Sequence, residues 1–324
     1  MKKHLAIILI TVLLSAFVVS CERDGQREQF ITVLTGPTSG IFFPIGGGFS
    51  SHLRESGFRT SVTATGATLE NIRLILGGQG ELAIAMSDAV TQAIGGFGAF
   101  YGEPPAENLR ALMGLWPNYT QIVTTADSGI RTFEDLRGRR VGVGAPGSGV
   151  ELNARMIYWA HGMTYDDSSV DFLSYGTAID QMRNGLIDAA FVTSGLGNAT
   201  IMELGFTRDI YFIPVDGEAR QRLMDRYPFF GSSVIGREVY NTAEETETVF
   251  VMNIMLVDVN LPNEVVYNIL ENVFSPEGLQ TIHATHSTAA AHIRKETALR
   301  GILGTPIPLH DGAIEFYRAR GMLP

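Results

Sequence analysis

Cysteine is almost absent from this chain of 324 residues, because Cys21 is the only one. A single cysteine excludes an internal disulfide and a cysteine-rich zinc site. Basic residues are also scarce: 24 lysines and arginines face 34 aspartates and glutamates, for a formal net charge of −10. This acidity disfavours nucleic acid or an anionic lipid surface as a partner, because both are recognised by clustered basic side chains.

Metal-binding and catalytic signatures are missing as well. His283 and His286 lie three residues apart, with His292 beyond them, but no carboxylate completes a compact ligand set on that segment. Ser148 has a glycine on each side and does not stand in the Gly-x-Ser-x-Gly pattern of a hydrolase nucleophile. We therefore predict that the protein binds no metal, uses no cofactor and is not an enzyme.

The glycine-rich loop 144–149 could be mistaken for a nucleotide-binding loop. A Walker A loop continues with lysine and then serine or threonine, whereas this loop continues with Val150 and Glu151. A glutamate at that point would repel a triphosphate. The loop fits a small carboxylate better than ATP.

The amino terminus has the pattern of a secretory signal. Lys2 and Lys3 precede an apolar run, residues 5–19, which is too short for the roughly 20 residues that cross a bilayer. The sequence VVSC at 18–21 is typical of a bacterial lipoprotein cleavage site. We predict a signal peptide over 1–20, lipidation of Cys21 and a polar tether over 21–29. A plain signal peptide with an incidental cysteine is the alternative, and both place the protein outside the cytoplasmic membrane.

Strand-like and helix-like segments alternate along the rest of the chain. This alternation predicts an α/β fold with parallel-rich sheets. Strands are expected at 30–34, 60–64, 82–86, 109–115, 121–125, 140–143, 170–173, 188–192, 210–214 and 249–257, and helices at 41–55, 69–76, 89–94, 150–160, 178–184 and from 263 onward. Two series of about a hundred residues predict two lobes, with lobe I formed by 30–119 plus 258–324 and lobe II by 120–257.

Five loops rich in serine, threonine and glycine each follow a strand and precede a helix: 35–40, 65–68, 86–88, 144–149 and 193–197. Ligands of parallel sheets bind at the carboxyl ends of strands, where unpaired N–H groups of helix starts attract anions. Ordinary capping and turn chemistry is the alternative for each loop taken alone. Together the loops predict an interlobe site formed by Thr35, Ser39, Gly40, Phe42, Thr65, Thr68, Ser87 and Asp88 of lobe I and by Gly144, Ser148, Gly149, Thr193 and Ser194 of lobe II.

Two further side chains have two interpretations each. Asp88 is either a carboxylate that stabilises a helix start or an acceptor for a ligand ammonium group. Trp116 either packs in the core or covers a ligand.

The order of these loops resembles the TAXI family, the solute receptors of tripartite ATP-independent periplasmic (TRAP) transporters. The residues that carry the resemblance are TGPTSGIFFP at 35–44, ATGATLEN at 64–71, AIAMSD at 83–88, ADSGI at 126–130, DLRGRRVGVGAPGSG at 135–149 and IPLHDGA at 307–313. They extend over nearly the whole mature chain, and the segment 135–149 is the most specific.

The resemblance implies a periplasmic-binding-protein fold whose two lobes, joined by crossing strands, close over a solute. It also implies TRAP-type membrane permease subunits as partners, and a small carboxylate such as glutamate, glutamine or 2-oxoglutarate as ligand. The chain departs from the family pattern at Pro37, at Phe42 and Phe43 in place of tyrosines, and at Met86 where glutamine is common. These departures make the expected pocket more apolar.

We therefore expect a periplasmic solute receptor that touches the membrane only through its lipid anchor and delivers a carboxylate to a permease. A sensory module with the same fold, which reports ligand state to a signalling protein, is the first alternative. An enzyme on this fold is the second.

The leader predicts that Cys21 is the first residue of the mature protein and carries lipid. Replacing Cys21 by serine should release the protein in soluble form with unchanged melting, because a terminal tether does not support the core. Mass spectrometry of the native protein checks the lipid directly. Cleavage at another position, or an unmodified Cys21, would contradict the prediction.

Overall fold

The computed structural model describes residues 29–324. The predicted signal peptide, Cys21 and all but the last residue of the predicted tether lie outside the described residues. Within them, no helix is both long enough and apolar enough to cross a membrane.

The described chain contains ten β-strands and eleven α-helices. The strands are β1 (Phe30–Leu34), β2 (Arg59–Thr63), β3 (Leu82–Met86), β4 (Leu109–Thr125), β5 (Arg140–Gly142), β6 (Ser169–Asp171), β7 (Ala189–Ser194), β8 (Ile210–Ile213), β9 (Gly231–Ile235) and β10 (Thr246–Asp258). The helices are α1 (Phe42–Glu55), α2 (Thr68–Leu76), α3 (Ser87–Gly95), α4 (Gly149–Ala160), α5 (Tyr175–Arg183), α6 (Ala199–Gly205), α7 (Gly217–Arg226), α8 (Arg237–Tyr240), α9 (Asn263–Val273), α10 (Pro276–His283) and α11 (Asp311–Arg318).

The strands are arranged in the order β2-β1-β3-β10-β4-β7-β5-β6, with β8 added to β4 and β9 to β10. The outer ladders β1–β2, β1–β3, β5–β6 and β5–β7 are parallel, whereas β4 and β10 run antiparallel to their neighbours. This architecture confirms the predicted two-lobed α/β class, with parallel flanks joined by crossing strands. Below, lobe I denotes the part built on β1–β3 and lobe II the part built on β5–β8.

The two crossing strands, β4 and β10, join the lobes. β4 pairs with β10 through its first part and with β7 and β8 through Tyr119–Thr125. The predicted break between two strands at 115 and 121 is wrong, because the chain continues through Pro117 as one strand. Proline donates no ladder hydrogen bond, and the register shifts between Met252 and Ile254, opposite Pro117.

The predicted lobe boundaries stay a prediction. Along β10, residues Asn253–Val257 pair with β3 of lobe I, while Thr246–Phe250 pair with β9. Strand pairing alone would therefore move the second crossing point from 257 to about 251.

The glycines of α1 explain why a helix forms at a segment that contains Pro44 and three consecutive glycines. Pro44 lies in the first turn, where a helix tolerates proline. A β-carbon at Gly46 would overlap the Thr35 side chain, and one at Gly48 would lie 2.6 Å from Thr285 Cγ2. The glycines therefore let α1 approach β1 and the end of α10 closely, and packing offsets their low helix propensity.

A single buried side chain ties together the loops that follow β1, β2 and β3. Asn71 Nδ2 donates to the Thr35 carbonyl at 2.5 Å and the Ile84 carbonyl at 2.7 Å, and its Oδ1 accepts from Thr65 Oγ1 at 2.6 Å. Asn71 is fully buried on α2. Because buried carbonyls need a donor, this amide fixes the relative positions of three strand ends at one edge of the sheet.

Small residues allow the two lobes to touch across the cleft between them. A β-carbon at Gly149 of lobe II would overlap Met86 Cε of lobe I, and one at Gly40 of lobe I would lie 2.5 Å from the Tyr175 hydroxyl of lobe II. Asn153 Nδ2 on α4 donates to Asp88 Oδ2 on α3 at 2.7 Å. The lobes are therefore in a closed arrangement.

Candidate functional site

A cavity of about 80 Å³ lies between the lobes, at the carboxyl ends of the parallel strands. Backbone and small or apolar side chains form most of its wall. The lining residues are Gly36, Pro37, Gly40, Ile41, Phe42, Gly66, Ala67, Thr68, Met86, Asn118, Ala145, Ser148, Gly149, Val150, Ser174, Tyr175, Thr193 and Ser194. None of these described residues carries an ionisable side chain other than the Tyr175 phenol.

The first residues of four helices belong to this wall. Helices α1, α2, α4 and α5 begin at Phe42, Thr68, Gly149 and Tyr175, and each of these residues lines the cavity. The first N–H groups of a helix have no partner within it, and the aligned peptide dipoles make that end positive. The cavity wall therefore offers positive potential from the helix starts, least at α2, where Glu70 Oε2 already accepts the Gly66 N–H at 2.5 Å.

Half of the predicted site residues line the cavity together. Five of them lie at helix starts or in the loops just before them, and two lie at the end of β7. They are Gly40, Phe42, Thr68, Ser148, Gly149, Thr193 and Ser194. Their contact with a solute stays a prediction, but the structure brings them to one cavity from both lobes.

Two predicted hydroxyls support the loops instead of facing the cavity. Thr35 Oγ1 donates to the Thr63 carbonyl at 2.8 Å, and Thr65 Oγ1 donates to Asn71 Oδ1 at 2.6 Å. Both residues lie outside the wall because these bonds turn their side chains toward the strand ends. Ser39 is exposed at the cleft entrance, 3.8 Å from where a β-carbon of Gly176 would lie.

Four other predicted residues lie just outside the wall. Ser87 and Asp88 were expected in the loop before a helix at 89–94, but α3 begins at Ser87 and both residues are buried in its first turn. Trp116 is fully buried, and its ring meets the Phe42 ring edge-on at a centroid distance of 5.6 Å, so it supports the wall from the core. Gly144 provides a turn with a φ of 103°, which favours glycine.

Eleven of the eighteen lining residues were not among the predicted site residues, and Asn118 and Tyr175 are two of them. Asn118 lies on β4, where its Nδ2 donates to Asn253 Oδ1 of β10 at 3.0 Å and its Oδ1 accepts from Trp116 at 3.0 Å. A polar residue beside Pro117 within an apolar strand was the available signal. Tyr175 was missed because its helix was expected to begin at 178.

Ser148 has a structural role that the sequence analysis did not assign. Its Oγ accepts the Glu151 N–H at 3.2 Å and so caps α4. Loss of such a cap typically costs about 1 kcal/mol. A variant that tests the site must therefore keep an acceptor at position 148.

Thr193 contributes a free hydroxyl to the cavity wall. Its side chain is 4% exposed, and its Oγ1 has no hydrogen-bond partner among residues 29–324. A buried hydroxyl without a partner is costly and points to a missing acceptor or donor. The neighbouring Ser194 differs, because its Oγ accepts from Gln121 Nε2 at 3.0 Å.

Tyr175 supplies a second hydroxyl at the wall. Burial raises the pKa of its phenol to about 12, so the group stays protonated at neutral pH and is able to donate a hydrogen bond.

Asp88 faces the other lobe and not the cavity. It is fully buried, as is Asn153, and only one hydrogen bond joins them. Asp88 Oδ1 and Asn153 Oδ1 have no partner among the described residues. Burial raises the pKa of the Asp88 carboxyl to about 6, and the Ala89 backbone N–H and the bond from Asn153 offset only part of that effect. A proton on Asp88 Oδ1 would supply a donor where both oxygens lack one.

The Asp88 pair predicts a specific pH dependence of stability. The pKa of the Asp88 carboxyl is higher in the folded protein than in an unfolded chain, so protonation stabilises the fold. This stabilisation is complete near the ordinary pKa of about 4. It is lost as the pH rises through about 6. Between about pH 7 and pH 5, the native protein should gain about 1 kcal/mol of unfolding free energy relative to Asp88→Asn, measured by urea denaturation.

The asparagine is a matched control, because its amide can exchange two hydrogen bonds with Asn153 at any pH. A difference between the two proteins that stays constant from pH 7 to pH 5 would contradict the assignment.

Comparison with known proteins agrees with the fold. The chain resembles XAC2383 from Xanthomonas citri bound to chloride ion at 10% identity, over 80% of this chain and 90% of that one, with a TM-score of 0.50. It also resembles a binding protein component of an ABC phosphonate transporter from Pseudomonas aeruginosa at 12% identity, over 80% of each chain, with a TM-score of 0.50. The alkanesulfonate-binding protein SsuA from Xanthomonas axonopodis pv. citri, bound to MOPS, aligns at 13% identity over 91% of this chain and 94% of its own, with a TM-score of 0.47.

The two likenesses with a TM-score of 0.50 show a shared fold, that of periplasmic binding proteins, and at such low identity they say nothing about the ligand. The sequence profile of the NMT1-like family matches residues 33–321, which include both lobes and both crossing strands. The protein therefore belongs to the NMT1-like family.

Proposed function

We propose that this protein is the extracytoplasmic solute receptor of a TAXI-type TRAP transporter, anchored by lipid at Cys21. It captures a small carboxylate between its lobes and presents it to the membrane permease. The observation that carries the proposal is the convergence of four helix starts on one interlobe cavity beside the buried Thr193 hydroxyl, which has no partner among the described residues. The resemblance of the loops to the TAXI family supports the transporter type, and the fold supports a receptor that closes.

The chemistry of the wall favours binding over catalysis. Within residues 29–324, the lining residues include no carboxylate, imidazole, thiol or amine that could act as a nucleophile or as an acid–base pair at neutral pH. Hydroxyl and N–H groups fit a carboxylate, whose oxygens accept several hydrogen bonds at once. Charge-assisted bonds of this kind contribute about 1.5–3 kcal/mol each.

Short-range attraction is necessary because the protein as a whole repels anions. With a net charge of −10, long-range electrostatics does not draw a carboxylate into the cleft. The helix starts act only over the first turn, at the wall itself. Affinity should therefore depend on the cavity's own groups and only weakly on ionic strength.

A pair of substitutions at position 148 tests the site. Ser148→Asp and Ser148→Asn both retain an acceptor that caps α4. The free energies of unfolding of the two proteins without ligand should therefore differ by less than about 1 kcal/mol. Ser148→Asp places a like charge in the cavity and should abolish carboxylate binding, whereas Ser148→Asn should retain measurable binding. Calorimetry with glutamate, 2-oxoglutarate and shorter carboxylates, alongside matched sulfonates and phosphonates, makes the comparison.

Equal affinity of the aspartate and asparagine variants would move the binding site away from this cavity. Tight binding confined to sulfonates or phosphonates would be consistent with a receptor for anions but would overturn the assignment of a carboxylate ligand.

The contact of Gly40 with Tyr175 tests whether lobe closure is coupled to binding. Gly40→Ala places a β-carbon 2.5 Å from the Tyr175 hydroxyl, so the closed arrangement should be disfavoured and carboxylate affinity should fall about tenfold. Tyr175→Phe in the same chain removes the clashing oxygen and should restore part of that loss. Gly47→Ala on α1 is the control, because a β-carbon there meets nothing within 4 Å.

Calorimetry on the three variants and the double variant gives the coupling between the two positions. If Gly40→Ala and Tyr175→Phe affect affinity additively, the contact does not govern closure.

A further inference from the structure

The apolar part of the cavity wall restricts the kind of carboxylate that fits. Side chains from both lobes, Ile41, Phe42 and Met86 on one side and Val150 on the other, line the space between the helix starts. All four are at least nine-tenths buried. An apolar ligand body would replace water against these side chains at a favourable free energy.

The part of the wall that the structure describes has no carboxylate to neutralise an ammonium group on the solute. An amino acid brings a positive charge that needs a carboxylate or several acceptors once it leaves water. Asp88, the acidic residue predicted for that role, is bonded to Asn153 and is not part of the wall. The Ser148 oxygen is already engaged with the Glu151 N–H.

A second carboxylate on the solute would also lack a partner. The described lining residues include no arginine, lysine or histidine. At the start of α2 the Glu70 carboxylate already accepts the Gly66 N–H, and at the start of α5 Ser174 Oγ accepts the Thr177 N–H. A second charge on the same small molecule would therefore face mainly apolar side chains. The free energy needed to bury an uncompensated carboxylate is far larger than the free energy gained from apolar contact.

Resting on the proposed function, we infer that the solute is a monoanion with an apolar body, of the class of short branched 2-oxo acids and similar monocarboxylates. The carboxylate binds at the helix starts with Thr193 as an additional donor. The hydrocarbon part contacts Phe42, Met86 and Val150. An α-amino acid and a dicarboxylate are disfavoured by the same wall.

Three matched probes test this inference by calorimetry on the purified protein: 4-methyl-2-oxopentanoate, L-leucine and 2-oxoglutarate. Leucine has the same skeleton as the first probe but carries an ammonium group, and 2-oxoglutarate has the same 2-oxo acid head but carries a second carboxylate. We expect 4-methyl-2-oxopentanoate to bind at least about tenfold more tightly than either, because an unpaired buried charge weakens binding by that factor or more.

A variant pair at Met86 shows whether the wall causes the preference. Met86→Gln introduces a polar group of similar length and should weaken the binding of 4-methyl-2-oxopentanoate by about tenfold. The ratio of its affinity to that of 2-oxoglutarate should become smaller. Met86→Leu keeps the wall apolar and should preserve the order of the three probes.

The outcomes separate the inference from the proposed function. Tightest binding of 2-oxoglutarate or leucine would overturn the monoanion class and leave a carboxylate receptor standing. If none of the three probes binds, the inference and the carboxylate function are both wrong. An unchanged order of affinities in Met86→Gln would overturn the role given to the apolar wall.

Discussion

The structure depends on one requirement: those N–H groups at the starts of four helices that no side chain caps must find acceptors when the lobes close. In an open cleft, water satisfies them. In the closed arrangement, α1, α2, α4 and α5 direct their first turns at the same cavity. A buried N–H without a partner is rare in proteins, so closure around an anion satisfies donors that closure around an empty space would leave unpaired. Binding and closure are therefore two aspects of one equilibrium.

Glycines bring this requirement about by allowing close approach. Gly149 packs against Met86 and Thr68, and Gly195 lies against Ile41 and Trp116, so backbone meets side chain across the cleft. A β-carbon at either position would hold the lobes apart. The two crossing strands are joined by a side-chain hydrogen bond as well as by their ladder. Asn118 and Asn253 link them at the position where the register shifts beside Pro117.

Much of this arrangement could be predicted from the sequence because it is local. A strand, a loop of small residues and a helix form a repeated pattern, and the rule that ligands bind at strand ends places such loops together. That reasoning identified Gly40, Thr68, Ser148 and Gly149 as parts of one cavity. It also predicted the α/β class and the approximate limits of most strands.

The orientation of individual side chains could not be predicted in the same way. The hydroxyls of Thr35 and Thr65 could both bind a ligand, but a distant residue fixes the loops that carry them. Asn71, which lies 36 residues from Thr35 in the chain, donates a hydrogen bond to the Thr35 carbonyl. Asp88 turned toward the other lobe because Asn153 lies there, a contact over 65 positions of sequence. Tertiary contacts decide such cases. Helix-start periodicity also misplaced Tyr175 by three residues, which removed it from consideration.

The central claim is that backbone N–H groups, and not charged side chains, hold the anionic head of the solute. A crystal structure of the protein with the small molecule that copurifies with it tests this claim most directly, with mass spectrometry identifying the molecule. The account predicts an anionic group within hydrogen-bond distance of the N–H groups at the starts of α1 and α4 and of Thr193 Oγ1. A solute bound elsewhere, or an anion held by an arginine side chain, would contradict it.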